Sequence, residues 1–225
     1  MRFPLPVRYA DYDTKGHVNN ATYLTYFEIA RQRAWVDVMG MSRDFPFVGA
    51  SDAASSAAFL LELARVLKAR RNPLTIELLF LDGEEARLPD WHGTDNTYGS
   101  RHYVDVGRRD GSLTALKALV LIDMIGDRDL DIRRDTNSTP WLTNIVWDAA
   151  KREKLDDVFI ADATKIEDDH LPFLAAGVPA VDIIDLDYPA WHTAKDTLDA
   201  VSARSLQAVG AVVLAALPNI EAHVR

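Results

Sequence analysis

Three short runs of this chain are apolar almost without a break: Leu74 to Leu81 (LTIELLFL), Leu116 to Met124 (LKALVLIDM) and Val178 to Ile184 (VPAVDII). A strand with one wet face alternates apolar and polar residues, whereas continuous runs of this length belong to strands covered on both faces. Between and around them lie stretches of helical periodicity, over Ala53 to Ala69, Trp141 to Lys151 and Ser202 to Leu217. A further helix is expected from Asn19 or Asn20, as cap, to Met39, stopped by Gly40. Strands alternating with helices, each strand buried, give an α/β fold. The expectation is a three-layer αβα arrangement around a mixed, mainly parallel central sheet. The 225 residues are enough to bury a full core without covalent staples.

Composition narrows the chemistry. There is no cysteine, so thiol nucleophiles, disulfides and sulfur-bound zinc are excluded, and any metal must sit on His, Asp and Glu. A net charge of −9, from 34 acidic against 25 basic residues, argues against a nucleic-acid partner. No apolar run in the sequence approaches the roughly 18 residues of a membrane span, so no membrane partner is expected. The opening MRFPLPVRYADYD lacks the basic-then-apolar plan of a signal peptide, which predicts a cytoplasmic protein.

Polar groups gather where the apolar runs end. Asp82-Gly83-Glu84-Glu85 follows the first run, Asp123 closes the second, and His192 lies in the loop after the third. In open α/β sheets the site lies beyond the strand C-termini, so separate loops deliver Asp52, Glu84, Glu85, Asp123 and His192 to one edge. One histidine with two carboxylates is a sufficient catalytic zinc set that leaves a position open. Glu84 and Glu85 are neighbours whose side chains diverge, so one can hold metal while the other stands beside it as a base. The same pair also fits a solvated acidic turn.

The stretches FVGASDAASSAAFLLELARVL, TIELLFLDGEEA, YGSRHY, LKALVLIDMIGD, IEDDHLPFLAAGVPAVDIID and YPAWHTAKDTLD carry a resemblance. In this order they resemble the zinc aminopeptidase and glutaminyl-peptide cyclotransferase superfamily, over roughly residues 45–225. EDDH followed by PFL, with WHT-x-x-DT, resembles its glutaminyl cyclase branch. The resemblance implies Asp52, Glu85 and His192 as zinc ligands, one Zn²⁺ per chain, and Glu84 as the acid/base. It implies Asp123 and Asp168 in the catalytic proton network and His170, Trp191 and Trp91 around the substrate pocket. Apart from the family, His170 also fits a histidine satisfying a loop backbone, and Asp182, Asp185 and Asp187 fit strand and loop edges. The implied substrate is a peptide or small molecule, and the implied product a pyroglutamyl peptide. A metallo-aminopeptidase of the same fold shares the ligand set.

The first forty residues differ. VRYADYDTKGHVNNATYLTYFEIARQRAW resembles the opening of hotdog-fold acyl-CoA thioesterases, which implies Asp13 as catalytic aspartate, with His17, Asn19 and Glu28 around it. Only a first strand and helix of that fold are represented. Residues 1–44 therefore read as a thioesterase-like strand and helix integrated into a zinc-binding domain of residues 45–225. Asp11 stands where dinuclear relatives have a histidine, and Ser51 and Ser56 stand where the pattern has Asn and Gly. The chimera could be an acyl-CoA thioesterase or carry an inactive site. Tyr23, Tyr26, Phe27, Trp35 and Val38 on the helix over 20–39 predict a homo-oligomer formed through this segment.

Overall fold

The structure is a computed structural model that describes residues 49–86 and 91–225. Asp13, His17, Glu28 and the helix expected over 20–39 lie outside these residues.

Helix α1 (Ala54–Ala69) is built from Ala and Leu with few β-branched residues, and ends where Arg70 turns extended ahead of Pro73. It buries Phe59, Leu63 and Leu67, spaced four apart, each contributing about 1.5–3 kcal/mol of burial. After an extended stretch comes α2 (Tyr98–Asp110), stopped by left-handed Gly111 at φ 83°, and a 3₁₀ turn (Ser112–Ala115). Strand β1 (Leu119–Asp123) is followed by β2 (Ile132–Asp135), α3 (Pro140–Arg152), β3 (Phe159–Thr164), the short α4 (His170–Ala175), β4 (Ala180–Ile184) and α5 (Ala203–His223). Pro140 opens α3, where a missing N–H costs nothing. Ser202 caps α5 by accepting from Arg204 N–H at 3.2 Å.

Both strand pairs are parallel. β1 lies on β4 from Leu119↔Ala180 to Asp123↔Ile184, and β2 on β3 from Ile132↔Phe159 to Asp135↔Thr164. Ser138 and Thr139 tie the pairs together: Ser138 Oγ accepts from Asp182 N–H at 3.0 Å, and Thr139 N–H donates to Ala180 O at 2.7 Å. Val181 and Ile183 of β4 join a core with α1, α3 and α5. On the other side Leu119 packs with Val104 of α2 and Phe173 of α4. Helices thus cover both faces of parallel strands, as the apolar runs predict.

Four elements depart from the expectation. Leu74–Leu81 has no ladder partner among the described residues and runs as unpaired extended chain. Its side chains still alternate, Ile76 and Leu78 toward the larger core, Leu79 and Leu81 toward the smaller. Strands β2 and β3 escape the sequence reading because Arg133, Arg134 and Asp162 interrupt their apolar pattern. Helix α2 escapes because only Ser100, Val104 and Gly107 are buried on it. The last helix, 21 residues with a mean hydropathy of 1.3 in its most apolar window, meets the length and composition of a membrane span. Here Val209, Val212, Val213, Ala216 and Ile220 pack into the main core. Arg70 clasps Glu221 through two bonds of 2.9 and 2.7 Å, fixing the end of α5 against the end of α1.

Candidate metal centre

Parallel pairing brings the C-terminal ends of β1 and β4 to one edge. Asp123 ends β1, and the loop after β4 returns His192 to the same place. Asp52 arrives on the loop entering α1, where a cis peptide joins it to Ala53. Glu84 and Glu85 end the extended stretch, and α2 holds that loop. The N–H groups of Thr97, Tyr98 and Gly99 donate to the carbonyls of Glu84, Gly83 and Asp82 at 2.7, 2.8 and 2.9 Å. Unpaired N–H groups at a helix start are thereby satisfied by the loop that carries the glutamates. Gly99 is required there, since a Cβ would stand 2.4 Å from Asp82 O.

Asp52, Glu85 and His192 each present a ligand atom, all within 4.8 Å of one another. His192 Nε2 lies 2.7 Å from Glu85 Oε1 and 3.4 Å from Asp52 Oδ2. Asp52 Oδ2 is buried without a hydrogen-bond partner, which is expensive for a carboxylate unless a cation meets it. Two carboxylates and an imidazole suit zinc, so the residues present fit that ion. The Asp52 and Glu85 carboxylates beside it raise the His192 imidazole to about 10. Metal entry must therefore displace a proton.

The surroundings are strongly acidic. Burial first, then the charges of Asp168, Asp123, Glu85 and Asp169, push Glu84 up to about 11. Asp123 and Asp168 are pushed well above the usual carboxylate range, again by burial first. Asp168 Oδ2 is buried and without a partner, while Asp123 accepts from Met124 N–H at 2.8 Å. Trp191 stands beside His192, ring centres 4.4 Å apart, and is 43% exposed. Trp91 is half-buried and joined to the cluster by no hydrogen bond or ring contact among the described residues. His170 is fully buried behind Asp168 and Asp169, away from any open surface.

Several supporting residues escape the sequence reading. Asp196 accepts from the N–H groups of Ser51 and Asp52 at 2.8 and 3.1 Å and from Tyr188 Oη at 2.6 Å. It therefore clamps the Asp52 loop, and its presence in the WHT-x-x-DT motif was the available signal. Ser51, a departure from the family pattern, is buried, and its Oγ accepts from Gly126 N–H at 3.1 Å. Asp182 is no strand edge: it is fully buried in the middle of β4 with neither carboxyl oxygen hydrogen-bonded. Its apolar neighbours in sequence face the opposite side of the strand.

Comparison with known proteins places the chain in a family. The peptidase family M28 profile matches residues 19–217, and that of the acyl-ACP thioesterase C-terminal domain matches residues 2–34. A glutaminyl-peptide cyclotransferase-like protein of Mus musculus is 33% identical over 178 residues, covering 68% of this chain and 46% of its own length. The chain thus spans about half the length of the curated relatives it matches. The crystal structure of an Acidobacteriales bacterium glutaminyl cyclase superposes with a TM-score of 0.76 at 44% identity, covering 80% of this chain and 65% of that one. A Zn-dependent exopeptidase from Parabacteroides distasonis gives 0.68 at 25% identity, covering 76% and 63%.

Proposed function

The chain belongs to peptidase family M28, and from that premise we propose a zinc-dependent enzyme of the glutaminyl-peptide cyclotransferase type. It would close an N-terminal glutamine to pyroglutamate with release of ammonia. What carries the reading is the Asp52–Glu85–His192 cluster, with its partnerless buried oxygen, in a chain 44% identical to a glutaminyl cyclase. Zinc on these three residues would supply a Lewis acid for the side-chain amide carbonyl.

The protein's own residues account for the proton. In cyclisation the α-amine nitrogen bonds to the side-chain amide carbon, and the bond from that carbon to the amide nitrogen breaks. One proton must pass from the attacking nitrogen to the departing ammonia. Glu84, adjacent in the chain to the ligand Glu85, is assigned this shuttle. A dication alongside reverses the upward push of burial and leaves Glu84 a carboxylate ready to accept. Asp123 and Asp168, whose carboxyls burial pushes up, stand beside it and are assigned to hydrogen-bond the reacting amide. Trp191, exposed next to His192, is assigned the wall on which the first residue of the peptide lies.

One zinc per chain is favoured because the ligand trio is the one metal-sized group of His, Asp and Glu among the described residues. A metallo-aminopeptidase is the second reading, favoured by the likeness to the Zn-dependent exopeptidase. Residues 1–44 are read as a thioesterase-like strand and helix integrated into the domain of residues 45–225, which the match over 2–34 supports.

One assay separates the readings. The protein is incubated with a glutaminyl peptide, an aminoacyl anilide and an acyl-CoA, each with and without chelator. Ammonia released in step with pyroglutamyl product, lost on chelation and restored by zinc, is the expected result. Anilide cleavage alone would move the assignment to aminopeptidase, and chelator-insensitive thioester cleavage to Asp13. No turnover in any arm would make the site inactive.

A further inference from the structure

Helix α2 and the loop before α4 meet at a buried hydrogen bond that the mechanism above leaves unused. Ser100, the third residue of α2, is completely buried. Its hydroxyl donates to Asp169 Oδ1 at 2.5 Å, across 69 positions of sequence. Thr97 O also lies 3.1 Å from the hydroxyl oxygen, but one hydrogen serves one bond, and an ionised carboxylate is the stronger acceptor. Asp169 is buried and stands at the cap position of α4, yet its side chain makes no capping bond to that helix. Its carboxyl is committed to α2 instead. Burial pushes that carboxyl up to about 6, against the bond from Ser100, so near neutral pH it is the charged acceptor that the hydroxyl meets.

Both ends of this bond reach groups assigned to the reaction. On the α2 side, the N–H groups of Thr97, Tyr98 and Gly99, immediately before Ser100, hold the carbonyls of Glu84, Gly83 and Asp82. On the other side, Asp169 N–H donates to Asp168 Oδ1, while Asp168 Oδ2 has no hydrogen-bond partner. One oxygen of Asp168 is thus tied to its neighbour, and the other is the one available to the reacting amide. Farther along, the rings of Tyr103 and Phe173 lie 5.7 Å apart and Arg108 Nη2 donates to Ala175 O at 3.2 Å, so α2 follows α4 to its end. After burial, the charge of Asp168 is the leading influence on Glu84, which places the two carboxyls within reach of each other.

We propose that the Ser100–Asp169 hydrogen bond is a latch that fixes the Asp168 carboxyl relative to Glu84, which makes Ser100 and Asp169 positioning residues for the proton transfer. Neither is a metal ligand, and each acts through a neighbour: Ser100 through the glutamate loop, Asp169 through Asp168. A proton shuttle and the group that orients its amide must be held to a fraction of an ångström for the step to be fast. A bond that spans the two loops supplies that constraint. The role in catalysis rests on the cyclase reading, whereas the bond itself is testable without turnover.

The test uses the zinc-loaded full chain, its aspartate carboxyls labelled with ¹³C. In Ser100→Ala the titration of Asp169 is expected to move upward from about 6, because a donor to the charged form is lost. An unmoved midpoint would overturn the latch. In glutaminyl-peptide kinetics, Ser100→Ala and Asp169→Ala are each expected to lower kcat about 10–100-fold, the usual effect of removing a group that orients a site residue, with KM and zinc content unchanged. The double variant should fall no further than the slower single one, as groups acting as a unit do; losses that multiply would count against the proposal. Asp169→Asn keeps an acceptor and the shape of the side chain while removing the charge, so it should recover most of the Asp169→Ala loss. Equal losses in the Asn and Ala variants would mean that the charge matters and the bond does not. Where an alanine variant fails to fold, Asp169→Asn decides alone, and a loss of about tenfold or more in the folded protein would sink the latch. A parent protein that does not cyclise glutamine refutes the cyclase reading and the positioning role together. A parent that does cyclise, with Asp169 unmoved in Ser100→Ala, refutes the latch alone.

Discussion

Glu84 and Glu85 share a peptide bond and are assigned opposite tasks, one moving a proton and the other holding metal. Glu84→Gln should keep zinc and lower cyclisation about 10²–10⁴-fold, the usual contribution of a positioned acid/base, read by steady-state rates alongside metal analysis. His192→Ala should abolish stoichiometric zinc, since the remaining pair of carboxylates leaves two positions to water; full zinc content would remove the site. Asp196→Ala should act at one remove. The Ser51 and Asp52 N–H groups lose their acceptor, which costs about 1–3 kcal/mol, and zinc affinity should fall about 10–100-fold. A chelator titration reads that loss, and unchanged affinity would mean that the clamp does not position Asp52. A polar cluster of Asp52, Glu84, Glu85, Asp123 and His192 was legible in the sequence because most of them follow the apolar runs and the chain has no cysteine, while the choice of three among them came from the family resemblance. The clamp was not legible, because an aspartate that accepts backbone N–H groups looks the same in sequence as one that faces water.

Helix α2 matters beyond its small buried face, because its first N–H groups hold the glutamate loop. Gly99→Ala should push the helix off Asp82, with overpacking costing about 1–3 kcal/mol. A thermal melt should reveal the lost stability and a zinc titration a weakened site; an unchanged melt would mean that the loop yields without cost. This helix illustrates the limit of pattern reading. Its residues are mostly charged and its role is carried by backbone groups, so neither periodicity nor apolar content marks it. β1 and β4 were legible because a strand covered on both faces must be apolar at successive positions. β2 was not, because four residues with two arginines in the middle resemble a turn. Leu74–Leu81 has the composition and alternation of a strand, yet a ladder needs a neighbour, and sequence patterning does not supply one.

At the scale of the molecule, buried carboxyls set the response to pH. Burial, reinforced by Asp127 and Asp131, holds Asp185 up at about 7 against an ordinary value of 3.8, although the N–H groups of Asp187 and Asp131 oppose the shift. Unfolded, the group ionises near pH 4; folded, it keeps its proton to about 7. The stability it adds in acid is therefore lost as pH rises through that window. Asp185→Asn should gain stability relative to the parent between about pH 4 and 7, seen in paired melts; a constant difference would refute the shift. Asp135, held at about 2, runs the other way: its contribution is present above pH 4 and lost as pH falls toward 2. The homo-oligomer expected through the segment over 20–39 remains a proposal for light scattering, where a mass of 25.1 kDa at micromolar concentration would refute it.

The clamp on the Asp52 loop also bears on kinetics. Asp196 reaches back 145 positions to Ser51, and His192 reaches 107 positions to Glu85. Contacts of such separation form only after the intervening chain has been ordered, and topologies that depend on them fold slowly. A metal centre built on such contacts is expected to close late on the folding route, so zinc would find no preassembled cage in the collapsing chain. An ion that binds only after the rate-limiting step lengthens the life of the native state without hastening its arrival. Zinc should slow unfolding in denaturant and leave the refolding rate unchanged; faster refolding with zinc present would place the centre early instead.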